Sequence, residues 1–251
     1  MKKIHGFAIN QIYAVIPIIF VLICFQLPCT AASLPDIGMI TMVKGEIIYW
    51  NNNVNEKKQA AQGFMKVRPD DEFRLAADSE LQLIFFANGR KEIWKGPAEL
   101  KLSEAMGQLA DKNEKNDKLT VVQIPTKVVN EVRRISPLID PAKLHRSGSY
   151  AIRGYQVEKL PVEKLSLKSA SLDIEEREEL DSVKQTYDAL SLSSASNDIT
   201  PELYLFSILA DYEQFEDIKQ ILVKMKKKQP GNPGIEQLED WLRNQALKQK
   251  G

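Results

Sequence analysis

Residues 72–102 alternate apolar and polar side chains in short runs. Leu81, Leu83 and Phe85 alternate with Glu80, Gln82 and Ile84, the period of a half-buried strand. Asn88 and Gly89 then supply the two residues that a tight hairpin places at positive φ. Residues 92–94 run back, Gly96-Pro97 interrupts, and residues 99–102 alternate again, so the stretch predicts a β-meander. Before it, residues 37–50 read as two short strands around Lys44-Gly45, residues 51–59 as a polar turn or loop, and residues 72–75 as a strand entered through Pro69-Asp70-Asp71. After it, residues 103–118 are polar and predict an exposed loop. Residues 120–124 predict a strand and residues 126–135 a helix with Val128, Val129, Val132 and Ile135 on one face. Residues 136–149 read as irregular, and residues 150–157 as a return to the sheet.

From Asp173 the period changes from 2 to 3.6. Asp173 and Glu176 have capping-box spacing, and Leu180, Val183, Tyr187 and Leu190 share a helical face. Residues 191–197 form a Ser-rich break. Thr200 then reads as an N-cap with Pro201 at the first helical position. Leu205, Phe206, Ile208, Leu209 and Tyr212 make one wide apolar face, and Ile218, Ile221, Leu222 and Met225 a second. Residues 230–234 (PGNPG) stop that helix, and Ile235, Leu238, Trp241 and Leu242 mark a last one. The fold class is α+β in two parts: a small β-rich sandwich or roll, then α-helical hairpins.

The N-terminus changes the compartment. Lys2 and Lys3 precede an apolar run over residues 12–25, short for a membrane span, and Thr30-Ala31-Ala32 offers small residues for cleavage. Residues 1–32 are therefore expected to be a signal peptide cut after Ala32. Ile23 and Pro28 stand before Cys24 and Cys29 where a lipidation site wants a small residue. The chain carries 34 Lys and Arg against 34 Asp and Glu, and cleavage removes only Lys2 and Lys3, for a net charge of −2. That balance is no nucleic-acid footprint. The cut also removes both cysteines and leaves His145 as the sole histidine, so disulfides, thiol catalysis and Cys/His zinc sites drop out. Export without cysteines fits a bacterial periplasm.

The β region resembles the FecR-like domain, the periplasmic module named after the ferric-citrate regulator. The residues that carry the likeness are Val43-Lys44-Gly45-Glu46, Gly63-Phe64 before Asp70-Asp71, Asp78 to Leu83, Asn88-Gly89, Glu92 to Ala98, Arg146-Ser147-Gly148 and Ile152-Arg153-Gly154. Pro69 replaces the family's usual Gly and Asn88 its commoner Asp. The namesake's cytoplasmic segment binds a sigma factor; about eleven residues precede the apolar run here, and that role is not carried over. Residues 213–233 resemble the second half of a tetratricopeptide repeat, with Leu205 and Leu209 where its first helix packs and with Phe206 and Ile218 where it wants small residues. One such unit cannot bury both faces alone, so the flanking helices are expected as its neighbours.

The resulting organisation is a signal peptide at 1–32, a FecR-like β domain at 36–157, a linker at 158–172 and a helical, tetratricopeptide-like region at 173–250. The expected function is non-enzymatic binding or scaffolding in the envelope, with a protein or an envelope glycan as partner, no nucleic acid, no cofactor and no metal. No residue is assigned a catalytic or ligand-holding role. Two alternatives stand beside it: a sensor anchored in the inner membrane by an uncleaved N-terminus, and a glycan hydrolase using carboxylates such as Asp70 and Asp78. Asp70, Asp71, Asp78 and Glu80 read first as turn residues on a solvated loop. His145 has no neighbouring acid. Trp50 and Trp94 offer sugar-stacking faces, although packing is the commoner role. Lys224 and Lys226 to Lys228 read as a match to a helix dipole, and the Leu205-Phe206-Ile208-Leu209 face as core with a part left for a partner.

Overall fold

Among the described residues ten strands form two antiparallel sheets, and five α-helices follow them. The structure is a computed structural model and describes residues 35–53, 55–111, 116–139 and 161–249. The signal-peptide segment, the 150–157 strand, His145 and the Arg146-Ser147-Gly148 and Ile152-Arg153-Gly154 pieces lie outside the described residues.

The strands are β1 (Gly38–Lys44), β2 (Ile47–Asn51), β3 (Asn55–Ala60), β4 (Lys66–Val67), β5 (Glu72–Leu75), β6 (Glu80–Phe85), β7 (Arg90–Lys95), β8 (Ala98–Leu102), β9 (Gly107–Leu109) and β10 (Leu119–Gln123). One sheet has the order β10-β7-β6-β1-β4 and the other β3-β2-β5-β8-β9. The helices are α1 (Thr126–Ile135), α2 (Ile174–Ser193), α3 (Thr200–Asp211), α4 (Phe215–Lys228) and α5 (Pro233–Lys248).

The pleat sorts the side chains. Leu81, Leu83 and Phe85 of β6 share a face with Trp94 of β7, which lies opposite Leu81, and all are fully buried. Phe73 and Leu75 of β5 oppose Leu100 and Ala98 of β8 and bury the matching face of the second sheet. The approach is close at β9, where a Cβ on Gly107 would come within 3.2 Å of the Trp94 ring and closer still to Glu92. The sheets thus pack face to face around one apolar layer.

The other face of the first sheet is also covered. Gln82 and Ile84 of β6 and Lys91 of β7 point away from the sandwich, yet all three are buried. The helices lie on them: Gln82 Nε2 and Lys91 Nζ both reach Asp198, just before α3, and Gln229 Nε2 at the end of α4 reaches the Thr41 carbonyl of β1. β6 is therefore buried on both faces rather than half-buried. One continuous apolar cluster runs from Ile37 in β1's approach to Ala246 in α5, and the described residues belong to one compact unit, Pro35–Gly251. Residues 161–172 are part of that unit: Val162 and Leu167 are buried, and Lys219 of α4 donates to the Leu165 carbonyl.

α3 is the innermost helix, with every residue from Thr200 to Leu209 buried. It packs against α1, α2 and α4, and α4 against α5, so the neighbours expected of a lone helical hairpin are present. The capping box forms as spaced: Glu176 N–H donates to Asp173 Oδ1 and Asp173 N–H to Glu176 Oε2, each at 2.9 Å.

Three local expectations need correction. The polar 51–59 segment contains β3, which pairs with β2 despite its charge. The 103–118 loop contains β9, which closes the edge of the second sheet on β8. At the β6–β7 hairpin only Gly89 has positive φ, at 67°; Asn88 instead accepts from Arg90 N–H and donates to the Ala105 carbonyl. No helix among the described residues is long and apolar enough to cross a membrane.

Candidate functional site

The clearest concavity lies where the sandwich meets the helical hairpin. It has a volume of about 480 Å³ and is lined by the end of β1 (Val43, Lys44), the β3–β4 connection (Gln62, Gly63), Asn197 and the α4–α5 turn (Lys228 to Pro233). That size suits a small polar ligand or a peptide segment, and junctions of this kind are common places for such sites.

Gln229 holds the floor of the cleft together. Its Nε2 donates to the Thr41 carbonyl at 3.0 Å and to the Asn197 carbonyl at 2.8 Å, while its Oε1 accepts from Asn232 Nδ2 at 2.7 Å. One amide thereby ties β1, the α2–α3 connection and the start of α5. Asn232 caps α5 by accepting from Gly234 N–H at 2.9 Å, with Pro233 at the first helical position. Gly234 is required by close packing: a Cβ there would sit 2.2 Å from the Phe64 ring. Phe64 is itself held at φ 67° and fully buried.

Two polar atoms at this junction accept or donate nothing among the described residues: Gln62 Oε1 and Thr41 Oγ1, both buried. Such groups carry a desolvation cost until a partner satisfies them. Gln62 lines the cleft and Lys44 stands exposed at its rim. The cleft therefore offers the Lys44 cation to a ligand, with Asn197 and Asn232 beside it, while Gln62 Oε1 lies buried in its wall.

Beneath the cleft runs a chain of buried charges. Lys91 Nζ meets Asp198 Oδ2 at 2.6 Å, and the same carboxylate accepts from Gln82, from Thr200 N–H and from Thr200 Oγ1. Burial alone would raise the Asp198 carboxyl, but the Lys91 charge and hydrogen bond, with the two Thr200 hydrogen bonds, outweigh it and hold it below its ordinary value. Lys228 donates to the Asp198 carbonyl and to Glu202, and Glu202 accepts from Tyr187. Lysines at the basic end of α4 besides Lys228 are also engaged: Lys226 pairs with Glu239, and Lys224 lies 5.3 Å from the centre of the Tyr187 ring.

The residues singled out in the sequence fall elsewhere. Asp70 sits before β5 at φ 65° and pairs with Lys101; Asp78 lies beyond the other end of β5 at φ 60°. These two carboxylates thus belong to turns at opposite ends of the four-residue β5. Asp71 is not solvated: it is fully buried, accepting from Asn51 Nδ2 at 2.5 Å and from Arg68 N–H at 2.7 Å. Burial pushes its carboxyl up to about 6 against those hydrogen bonds, and burial followed by the Asp71 charge pushes Tyr49 up to about 12. This is a structural clamp between the β2 end and the β4–β5 turn.

Neither tryptophan presents a free ring. Trp94 is fully buried and donates to Glu92 Oε2, which also accepts from Gly107 N–H. Trp50 is 9 % exposed on the outer face of the second sheet, with Lys58 Nζ 5.0 Å and the Arg74 guanidinium 5.7 Å from its ring centre. The Leu205-Phe206-Ile208-Leu209 face is core, with all four residues buried. Among the described residues no three His, Cys, Asp or Glu side chains cluster to hold a metal ion.

The cleft residues escaped the sequence reading because they come from four separate segments. Thr200, read from the sequence as the N-cap, is instead the first residue of α3, with Ile199 at the cap position, and it donates through both its N–H and its hydroxyl to Asp198. Comparison of the chain with protein-family models, with curated proteins and with solved structures finds no match.

Proposed function

We propose that the chain is a non-enzymatic binding or scaffolding protein of the bacterial envelope, and that its partner, a protein segment or an envelope glycan, enters the cleft between sandwich and helices. The observation that carries this reading is the cleft's joint construction: Lys44 and Gln62 from the β part face Asn197, Lys228 and Asn232 from the helical part, and Gln62 Oε1 is buried without a donor. A partner's N–H or O–H satisfies that acceptor when the Gln62 side chain turns into the cleft, and the exposed Lys44 at the rim steers anionic or hydroxyl-rich groups. The envelope setting rests on the sequence, through the apolar run at 12–25 and the small residues at 30–32.

The test is capture from envelope extract by the immobilised protein, set beside the double variant Lys44→Glu/Gln62→Leu. Both substitutions lie at the cleft wall, and equal melting temperatures establish that the variant is folded. The reading expects a defined protein or glycan retained by the unaltered chain and lost by the variant. Recovery of nothing, or equal recovery by both, overturns it.

A further inference from the structure

Each sheet has two edges, and natural sheets blunt theirs with charge, brevity or cover. β4 and β9 are two and three residues long, and β3 carries Lys57 and Lys58. β10 differs. It is five residues long, reads LTVVQ, contains no charge or proline, and among the described strands pairs only with β7. Val121 and Val122 are 42 % and 40 % exposed, among the most exposed large apolar residues described.

The ladder geometry fixes which backbone groups face outward. Ile124 N–H donates to the Gly89 carbonyl, and the register places Val122 opposite Lys91 and Thr120 opposite Ile93. In an antiparallel pair hydrogen-bonded positions alternate, so Thr120, Val122 and Ile124 bond to the β7 side. The N–H and C=O groups of Leu119, Val121 and Gln123 then point away from the sheet, and no described residue meets them.

The geometry points to a second copy of this chain as the occupant of that edge, joined β10 to β10 about a two-fold axis at Val121. The match is one of parity. An antiparallel pair centred on Val121 sets Val121 against its symmetry mate and Leu119 against Gln123, and these are the residues whose backbone groups face out. Every outward donor finds an acceptor, giving about six backbone bonds. The register also avoids like charges: Lys118 falls opposite Ile124 and Asp117 opposite Pro125. Pro125, with no N–H to give, ends the pairing where α1 begins. Two five-stranded sheets become one continuous sheet, with Val121 buried against its symmetry mate on one face and Val122 against the partner copy's Thr120 on the other.

The test uses the protein as purified, its mass measured by light scattering over a dilution series, with hydrogen exchange of the peptide spanning residues 119–123 at both ends of the series. The expected result is a doubling of mass with concentration, accompanied by slowed exchange in that peptide. Val121→Lys sets two ammonium groups against each other at the axis, and it abolishes both changes while keeping the melting temperature. Val121→Thr, which preserves strand propensity without charge, keeps them. A monomer at every concentration overturns the inference, as does a dimer that leaves residues 119–123 exchanging freely. So does a peptide protected equally in the monomer, which means that another part of the chain covers the edge.

Discussion

Lys91 Nζ lies 2.6 Å from Asp198 Oδ2, and 107 residues of sequence separate the two. This contact joins the outer face of β7 to the segment that leads into α3. Both groups are buried, and the carboxylate is also served by Gln82 and Thr200. A buried pair of this kind is strongly destabilised when one member is removed.

Asp198→Ala therefore costs about 3–5 kcal/mol, since it strands the Lys91 ammonium and also removes the acceptor of both Thr200 donors. Lys91→Met costs less, because Gln82 and Thr200 still satisfy the carboxylate. Urea unfolding of both variants checks the order. Equal small losses would contradict the role given to this pair.

Asp71 and Asp198 respond to pH in opposite directions. Asp71 has a folded value of about 6 against an ordinary 3.8, so the folded state binds its proton more tightly than the unfolded chain does. Its contribution to stability falls as pH rises from about 4 to about 6, by roughly 2–3 kcal/mol. Asp198 lies below 3.8 when folded, so its contribution is present above 3.8 and is lost as pH falls below that value. Melting temperature against pH, for the unaltered chain and for Asp71→Asn, separates them. The variant flattens the slope between pH 4 and 6 and leaves the acid limb in place.

Two glycines near the cleft distinguish crowding from backbone strain. Gly234→Ala drives a methyl into the Phe64 ring, 2.2 Å away, and costs about 1–3 kcal/mol. Gly231 has φ 74° and nothing within 4 Å of an added Cβ, so Gly231→Ala costs only about 1 kcal/mol of backbone strain. Chemical denaturation of the two variants reads the difference directly.

Gln229→Ala removes the amide that ties three segments under the cleft. It leaves the Thr41 and Asn197 carbonyls without this donor and costs about 1–3 kcal/mol. The same variant weakens partner capture, because the cleft floor loses its fixed geometry. A variant that melts unchanged would show that Gln229 is not the pin described.

Most elements were legible where a local rule governs them. The alternation of Leu81, Leu83 and Phe85, the capping box at Asp173 and Glu176, and the apolar stripe of α4 all depend on neighbours a few residues apart. Gly45 at φ 77° turns β1 into β2 where Lys44-Gly45 marks it. What escaped depends on distant partners. β3 is polar because it lies at a sheet edge, and its pairing with β2 supplies what its composition lacks. Gln82 and Lys91 look like solvent positions on a half-buried sheet, and only the helices above them make them interior. Asp71 looked like a turn residue, and it is one, but its side chain turns inward to Asn51. The cleft assembles side chains from four segments, and no spacing in the sequence links them.

The account rests on sandwich and helices being one body with a cleft at their junction. Urea unfolding of a Trp241→Phe variant, followed at once by far-ultraviolet circular dichroism, which reports mainly α2 to α5, and by emission from the remaining Trp50 and Trp94 in the sheets, tests this most directly. Coincident single transitions are predicted, as expected of a shared core and a buried Lys91–Asp198 pair. Helices that melt first, leaving the sheet emission unchanged, would contradict it.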